Sequence, residues 1–374
     1  MKEKMLFAVP CLFGLESFVK DELTRMEITV TEVTDGRVFF EGGIKEMARA
    51  NLNLRTGERV LLVLSKFRAS TFDELFEGVK KIKFADIVGK DDEFVINGHS
   101  LKSALYNIPS CQRIIKKAMV ESMSKSYGIT QFAETGKRYE FSFFIINDIC
   151  TIMLDTSGEG LHKRGYREIG SAAPLKETLA AAMIKTARWF GRDVFIDPMC
   201  GSGTIAIEAA MIAADMAPGL HRSFGFESLS LNDAKITADE RALALSKIRQ
   251  NTYEIFASDI DPDMCTLTRR NAGIACVEKH IHIEQKDIRN LENDAQYATV
   301  IINPPYGERL LTMDEAYVLY RDMGKVLLPH RDWKIYVLTA NEDFERMFGK
   351  RADKKRKLYN GMLKCDLYQY FKKL

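Results

Sequence analysis

The chain has no long hydrophobic run. Nowhere do its 374 residues hold the roughly 18 consecutive apolar positions of a membrane span. The apolar opening "MLFAVPCLFGL" is too short, and too soon broken by Glu16, for a signal peptide. The chain also has no CxxC pair, and its seven cysteines are an odd number. Both facts favour reduced thiols in a cytoplasm over a disulfide framework or a zinc site. Six histidines without metal-ligand spacing leave no metal to expect. There is no excess of charge of either sign. Net charge is +2, with 25 Lys/Arg against 24 Asp/Glu in residues 1–170 and 29 against 28 in 171–374, so global charge gives no argument for nucleic acid. Local charge says more. Residues 97–138 hold seven basic and two acidic residues, and "GKRADKKRK" (349–357) holds six and one. Each run is either a solvated surface or a phosphate-tracking patch. Internal repeats and low-complexity segments are absent as well.

What is there is the composition of an ordinary soluble globular protein, 46% hydrophobic and 28% charged, in a chain long enough for two or three domains. Its character changes near residue 160. Before that point lie short alternating runs such as "RVFFEG" (37–42), "ERVLLVLSKF" (58–67), "EFVINGH" (93–99), "RYEFSFFII" (138–146) and "ICTIMLD" (149–155). Helical patterns at 14–26, 44–53, 71–83 and 110–127 separate them. Pieces this small predict α+β units rather than one large sheet. Asn147-Asp148 predicts a tight hairpin, since both residues tolerate left-handed backbone. The segment 157–168, "SGEGLHKRGYRE", is rich in glycine and charge and reads as the junction between domains. A helix follows over 174–189, started by Pro174.

The second half is more regular. Strands at 193–198, 254–260, 281–288, 297–302 and 333–340 alternate with helices at 203–217, 262–275, 314–328 and 342–348. Alternation of apolar strands with helices means a parallel, doubly wound α/β sheet. The Asn360-Gly361 pair predicts a terminal hairpin that adds antiparallel strands at its edge.

Four motifs lie at the carboxyl ends of consecutive strands. In "FIDPMCGSGT" a strand gives way to Gly201-Ser202-Gly203 and then a helix, a turn in which backbone can approach a ligand closely. Alone it is weak: no GK[ST] follows, which excludes a P-loop, and Ala206 stands where a dinucleotide fingerprint has its third glycine. Asp259 ends the next strand, where an acid grips ribose hydroxyls in doubly wound sites; Asp261 more naturally begins the following helix. Asp287, read as the end of the third strand, has the position to accept from an adenine amino group. On the fourth strand comes "NPPYG" (303–307). Two prolines cannot continue a ladder, so an apolar strand stops abruptly and presents an amide, carbonyls without ladder partners and an aromatic ring.

In this order "DPMCGSGT", "SDIDPDM", "KDI" and "INPPYGERL" resemble the motifs of class I S-adenosylmethionine-dependent methyltransferases. The preceding "GEGLHKRGYRE…APLKETLAAAM" resembles the stretch that joins a THUMP RNA-binding domain to such a domain. Together they resemble the bacterial THUMP-containing guanine-N2 RNA methyltransferases, in particular stand-alone counterparts of the N-terminal half of the fused large-subunit rRNA enzyme. The likeness covers nearly the whole chain and is strongest across 157–310. It implies a ferredoxin-like part over 1–55, a THUMP domain over 56–156, a linker over 157–173 and a Rossmann-like methyltransferase domain over 174–374. It also implies S-adenosylmethionine as cofactor, held by Asp197, Pro198, Gly201, Gly203, Thr204, Asp259, Ile260, Asp287, Ile288 and Asn303, with Asp197 near the amino group, Asp259 on the ribose and Asp287 on the adenine. Asn303, Pro304, Pro305 and Tyr306 would form the catalytic loop, acting on 23S rRNA or tRNA.

The resemblance further implies RNA contacts from the helix in "PSCQRIIKKAM" (109–119), where Arg113, Lys116 and Lys117 share one face at i, i+3 and i+4; by its residues alone this is an ordinary amphipathic helix. Lys163 and Arg164 in the junction, with His162 and Arg167, either hold RNA phosphate, order the interdomain contact or belong to a plain solvated linker. Cys200, with no base to activate it, reads as packing. The motif "NPPY" is shared with adenine-N6 and protein-glutamine methyltransferases, so alone it specifies an amino or amide nitrogen. The first 155 residues argue against a glutamine enzyme, which has no need of an RNA module. Intact Asn303 and an intact glycine turn argue against a non-catalytic RNA-binding protein.

Overall fold

The computed structural model describes residues 4–167, 175–230, 232–305, 312–361 and 363–371. Pro174, expected to start a helix, and Tyr306 lie outside the described residues.

The first half runs β1 (Met5–Pro10), α1 (Glu16–Arg25), β2 (Thr29–Thr34), β3 (Arg37–Gly42), α2 (Ile44–Asn53), β4 (Leu61–Arg68), α3 (Phe72–Lys80), β5 (Glu93–Leu101), α4 (Ile108–Tyr127), β6 (Arg138–Ile146) and β7 (Ile149–Asp155). These strands do not stay in separate small units. They join into one seven-stranded sheet, ordered β2-β3-β1-β4-β7-β6-β5, which corrects the expectation drawn from their short lengths. The join is β1 against β4, through Phe7↔Leu62 and Ala8↔Leu61. Phe7 and Val9 face the large core with residues of α1, α2, α3 and α4, such as Val19, Met47, Leu75 and Ile115. The opposite face carries a smaller cluster of strand residues around Ala8, Phe39, Leu61, Phe144 and Met153.

Local signals explain the element ends. Thr71 accepts from Glu74 N while Glu74 reaches back to Thr71, a capping box that starts α3. Asn107 accepts from Ser110 N to start α4, and Gly128, at φ +68°, ends it. Asn147 and Asp148 are both left-handed (φ 49° and 63°) and turn β6 into β7.

The second half runs α5 (Glu177–Ala187), β8 (Val194–Asp197), α6 (Thr204–Ala213), α7 (Ala234–Ser246), β9 (Ile255–Asp259), α8 (Pro262–Ile274), β10 (Ile281–Gln285), β11 (Ala298–Ile302), α9 (Met313–Leu327), β12 (Lys334–Thr339), α10 (Phe344–Phe348), β13 (Lys354–Asn360) and β14 (Leu363–Tyr370). The sheet order is β10-β9-β8-β11-β12-β14-β13. The first five strands are parallel, and β14 and β13 add antiparallel to the edge. Strand order reverses between β8 and β11, where doubly wound sheets open a crevice at their carboxyl ends. The strand expected over 281–288 stops at Gln285. Asp287 lies beyond it and caps a short 3₁₀ turn over Ile288–Asn290.

The junction is packed rather than solvated. Ser157, Leu161, Arg164 and Tyr166 are buried. Arg164 is 2% exposed: its Nε donates to Glu208 of α6 at 3.1 Å, and its Nη groups donate to the carbonyls of Leu161 at 2.7 Å and Arg55 at 2.6 Å. A guanidinium spent on these partners is not available to phosphate, so Arg164 orders the interdomain contact; its expected role in RNA binding is corrected. Arg49 of α2 grips Glu240 of α7 with two 2.8 Å bonds, and Lys185 of α5 meets Glu22 of α1 at 2.8 Å. Glu58 takes Lys176 at 3.1 Å and Thr178 at 2.7 Å. Burial works against its charge, but His162, Lys176 and Thr178 outweigh it and hold the carboxyl down to about 2. No described helix is long and apolar enough to cross a membrane.

Candidate active site

The carboxyl ends of β8, β9 and β11, where a doubly wound sheet has its crevice, carry most of the expected residues. Gly201 and Gly203 follow β8 with φ of +52° and +85°, left-handed backbone that side chains disfavour. A Cβ on Gly203 would lie 2.7 Å from Thr268 Cγ2, whereas beside Gly201 it would meet open space. The first glycine therefore leaves room above the turn, and the second lets α6 approach α8. Asp259, the last residue of β9, accepts the Gly201 N–H at 2.9 Å through Oδ2 and the Asp261 N–H at 3.0 Å through Oδ1. Asp261 caps α8 by accepting from Asp263 N at 2.8 Å, as its place at a helix start predicts.

Two residues that fix this turn were not anticipated. Thr268 Oγ1 donates to the Gly201 carbonyl at 2.7 Å, and Asn271 Nδ2 donates to the Ser202 carbonyl at 2.9 Å. They stand three apart on α8 and are buried. Polar residues at i, i+3 on the inner face of a helix are the signal that finds them.

Asp197, the last residue of β8, is fully buried. Neither carboxyl oxygen has a hydrogen-bond partner among the described residues. Burial, and then the negative charge of Asp259, push its pKa up to about 8, against a weak opposing pull from the Ala206 and Met199 amides. A buried carboxyl without a close hydrogen-bond partner, beside an open glycine turn, has the acceptor oxygens that an ammonium group requires. Pro198 is buried next to it. Thr204 opens α6 and accepts from Arg167, which also pairs with Glu177 at 3.3 Å. Cys200 is buried and its thiol pushed far up by that burial, in keeping with packing rather than chemistry.

The third strand contributes less directly. Asp287 accepts from Arg289 N at 2.9 Å and from the Arg289 guanidinium at 2.6 Å; the Arg289 bond lowers its pKa despite some burial. Its carboxylate is thus partly engaged by the chain itself. Ile260 is 58% exposed and offers an apolar surface beside Asp259, whereas Ile288 is buried in the core beneath.

Asn303 is half-buried just past β11, followed by buried Pro304 and half-buried Pro305. The Pro305 carbonyl accepts from Tyr320 Oη at 3.3 Å. The expected RNA-binding residues are on α4 and in the junction rather than at these strand ends. On α4, Arg113 and Lys117 are exposed, Arg113 bonding Ser110 at 3.1 Å and Lys117 lying 5.7 Å over the Phe76 ring. Lys116 is tied to Glu134 at 2.8 Å, and exposed Lys163 to Glu159 at 2.6 Å.

Three family models match the chain: an RlmL ferredoxin-like domain over residues 6–61, a THUMP domain over 69–155 and an RMKL-like methyltransferase domain over 164–369. The "Putative RNA methyltransferase YpsC" of Bacillus subtilis (strain 168) is 40% identical over 382 residues, covering 100% of this chain and 97% of its own. A solved structure of SMU.472, described as a putative methyltransferase complexed with SAH, is 37% identical, with a TM-score of 0.91 and 100% of both chains covered. A third relative, from Listeria monocytogenes str. 4b F2365, is described as a "predicted N6-adenine-specific DNA methylase". It is 40% identical with a TM-score of 0.93, over 99% of this chain and 97% of that one.

Proposed function

The chain belongs to the THUMP-containing RMKL-like methyltransferase family and is an S-adenosylmethionine-dependent RNA methyltransferase; from that premise we propose that it methylates the exocyclic N2 amine of a guanine in 23S rRNA, the alternative substrate being tRNA. The observation that carries this reading is the placement of Asn303 and Pro304 at the end of β11, two strand-ends from Asp259 in the same parallel sheet, behind an N-terminal module of the THUMP type.

Bound in the crevice, S-adenosylmethionine supplies an electrophilic methyl carbon on a sulfonium. Asp197 would take its ammonium group, the Gly201 turn its methionine and ribose part, Asp259 the ribose diol, and Asp287 with Ile260 the adenine. An exocyclic purine amine is a poor nucleophile because its lone pair is delocalised into the ring. The Asn303 side-chain oxygen and the Pro304 carbonyl each accept one of its two hydrogens, holding the nitrogen toward a tetrahedral geometry with its lone pair aimed at the methyl carbon. The nitrogen–carbon bond forms as the carbon–sulfur bond breaks, and the resulting ammonium loses a proton to water. No general base of shifted pKa is needed. Orientation and electrostatics do this work, on the order of several kcal/mol. Tyr306 would stack on the extruded base, replacing about 1–3 kcal/mol of lost stacking. On α4, Arg113, Lys116 and Lys117 would track phosphate, as structured RNA is read largely through shape and backbone.

The test is nucleoside mass spectrometry of separated rRNA and tRNA from a deletion strain. Loss of one N2-methylguanosine from 23S rRNA is expected, restored by the wild-type chain. Loss of N6-methyladenosine instead would establish the adenine reading that the shared "NPPY" motif also allows.

Cofactor binding should depend on pH through Asp197. Its folded pKa of about 8 lies above the usual aspartate value of about 3.9, so the ligand-free protein holds this proton at neutral pH. Between those values the folded state binds more protons than the unfolded, and stability falls as pH rises through the window. Taking up an ammonium needs the carboxylate, so affinity should strengthen as pH rises from 6 toward 8. Calorimetry with S-adenosylhomocysteine should show a proton released on binding at pH 6.5, absent in Asp197→Asn. No release in the wild type would remove Asp197 from the ammonium site.

A further inference from the structure

Building on the reading of residues 303–306 as the loop that holds the methyl acceptor, we propose that Tyr320 is a positioning residue for methyl transfer, fixing the backbone of that loop through the Pro305 carbonyl. Tyr320 stands on α9 and is fully buried. Its hydroxyl lies 3.3 Å from the Pro305 carbonyl oxygen and 3.2 Å from Thr339 Oγ1, at the end of β12. A carbonyl oxygen only accepts, so the one phenolic hydrogen goes to Pro305. Tyr320 must then accept from Thr339, whose own hydroxyl hydrogen is thereby spent. Thr339 Oγ1 in turn accepts the Asn341 backbone N–H at 3.1 Å. The result is a chain of one direction, Asn341 to Thr339 to Tyr320 to Pro305, in which each donor polarises the next. Burial raises the Tyr320 pKa, which keeps the phenol a donor.

The loop needs such a support. β11 and β12 pair from Thr299↔Lys334 to Ile302↔Val337, and the two prolines beyond have no N–H with which to continue. Past the last ladder pair, the hydroxyl from α9 takes over. The carbonyl it holds belongs to the peptide bond that leads into Tyr306. With that carbonyl engaged by Tyr320, the preceding one, of Pro304, is left as the backbone acceptor for the amine.

Packing fixes the phenol ring. Phe344 meets it edge-on at 5.0 Å and 78°, and lies in turn 4.9 Å from Tyr368 of β14, tilted at 48°. Tyr368 Oη donates to the Asn341 carbonyl at 3.3 Å, the residue from which the chain starts. The antiparallel strand β14 is thereby connected to the loop at the crevice, and the acceptors are held by residues that are themselves held.

Tyr320→Phe removes one oxygen and keeps the ring. The expected result is a fall of about tenfold in kcat, with the KM for RNA and the calorimetric affinity for S-adenosylhomocysteine within twofold of wild type. Thr339→Val should lower kcat similarly, and Thr339→Ser should restore it, because the hydroxyl alone carries the chain. An unchanged kcat in Tyr320→Phe overturns the positioning role. So does a kcat that falls only together with cofactor affinity or with the urea midpoint, which would make Tyr320 core packing. Asn303→Ala, measured alongside, separates the two layers: full activity there overturns the reading of the loop itself, while an inactive Asn303→Ala beside an unaffected Tyr320→Phe overturns only the role of Tyr320.

Discussion

Asn303→Ala should abolish methyl transfer, lowering kcat by about 10³-fold or more, while leaving cofactor affinity nearly unchanged. The size follows from what is removed. One of two oxygen acceptors that hold a planar amine against its own delocalisation disappears, and oriented polar groups of this kind are worth about 10²–10³ in rate each. The loss of aim on the nitrogen lone pair adds to it. Cofactor affinity is spared because the groups around the glycine turn keep their partners: Asp259 still holds the Gly201 N–H, and Thr268 and Asn271 still hold the carbonyls of Gly201 and Ser202. Asp259→Ala should give the mirror image. It frees the Gly201 and Asp261 amides together, so cofactor binding weakens first. Methyl incorporation from labelled cofactor under saturating and limiting conditions, with calorimetry on both variants, separates the two patterns. Loss of cofactor binding in Asn303→Ala would place that residue on the cofactor rather than on the base.

The parts of this site that are legible in the sequence are those in which one residue does its own local work. Asp259 can be placed at a strand end because apolar residues before it and the Asp-Pro after it mark a strand and a helix start. Gly201 and Gly203 announce left-handed backbone, and Asn147-Asp148 a tight turn, by residue type alone. The parts that depend on a distant partner are not legible. Thr268 and Asn271 serve a turn more than 60 residues earlier. Asp287 has the right neighbours for a strand end, yet its carboxylate is drawn to Arg289 two residues on. The merging of the N-terminal strands into one sheet turns on β1, which pairs with both β3 and β4, and its sequence hides it, as the sequence of the edge strand β2 does. "MLFAVP" closes on a proline, and "TVTEVT" exposes most of its length at the sheet edge, so neither shows clear alternation. The helix α7 is hidden for a related reason: only Glu240 and Ala244 are buried, and its position is set by Arg49 from the other half of the chain.

Arg164 is the sharpest case, and breaking its pairing should cost about 3–5 kcal/mol of stability. From sequence it is a cation in a glycine-rich junction, and charged side chains are seldom fully buried. In the structure its side chain and that of Glu208, 44 residues away, are 1% and 0% exposed. Burial penalises the guanidinium's charge, but Glu208 more than offsets it and holds the group protonated. Arg164→Ala leaves the Glu208 carboxylate buried without its partner and frees the carbonyls of Leu161 and Arg55. The seam between the two halves should therefore loosen before either sheet melts, visible as an earlier urea transition and faster proteolysis near residues 157–167. Arg164→Met combined with Glu208→Leu removes both charges at similar volume, and should recover most of the loss, because a buried ion pair contributes little beyond what an apolar pair contributes. At a temperature where Arg164→Ala is still folded, its KM for RNA should keep the wild-type salt dependence. A folded variant of undiminished stability whose RNA affinity drops, and drops with a shallower salt slope, would return Arg164 to the nucleic-acid surface. The rigid seam would then no longer explain how the RNA module and the methyl-transfer crevice are held in a fixed relation.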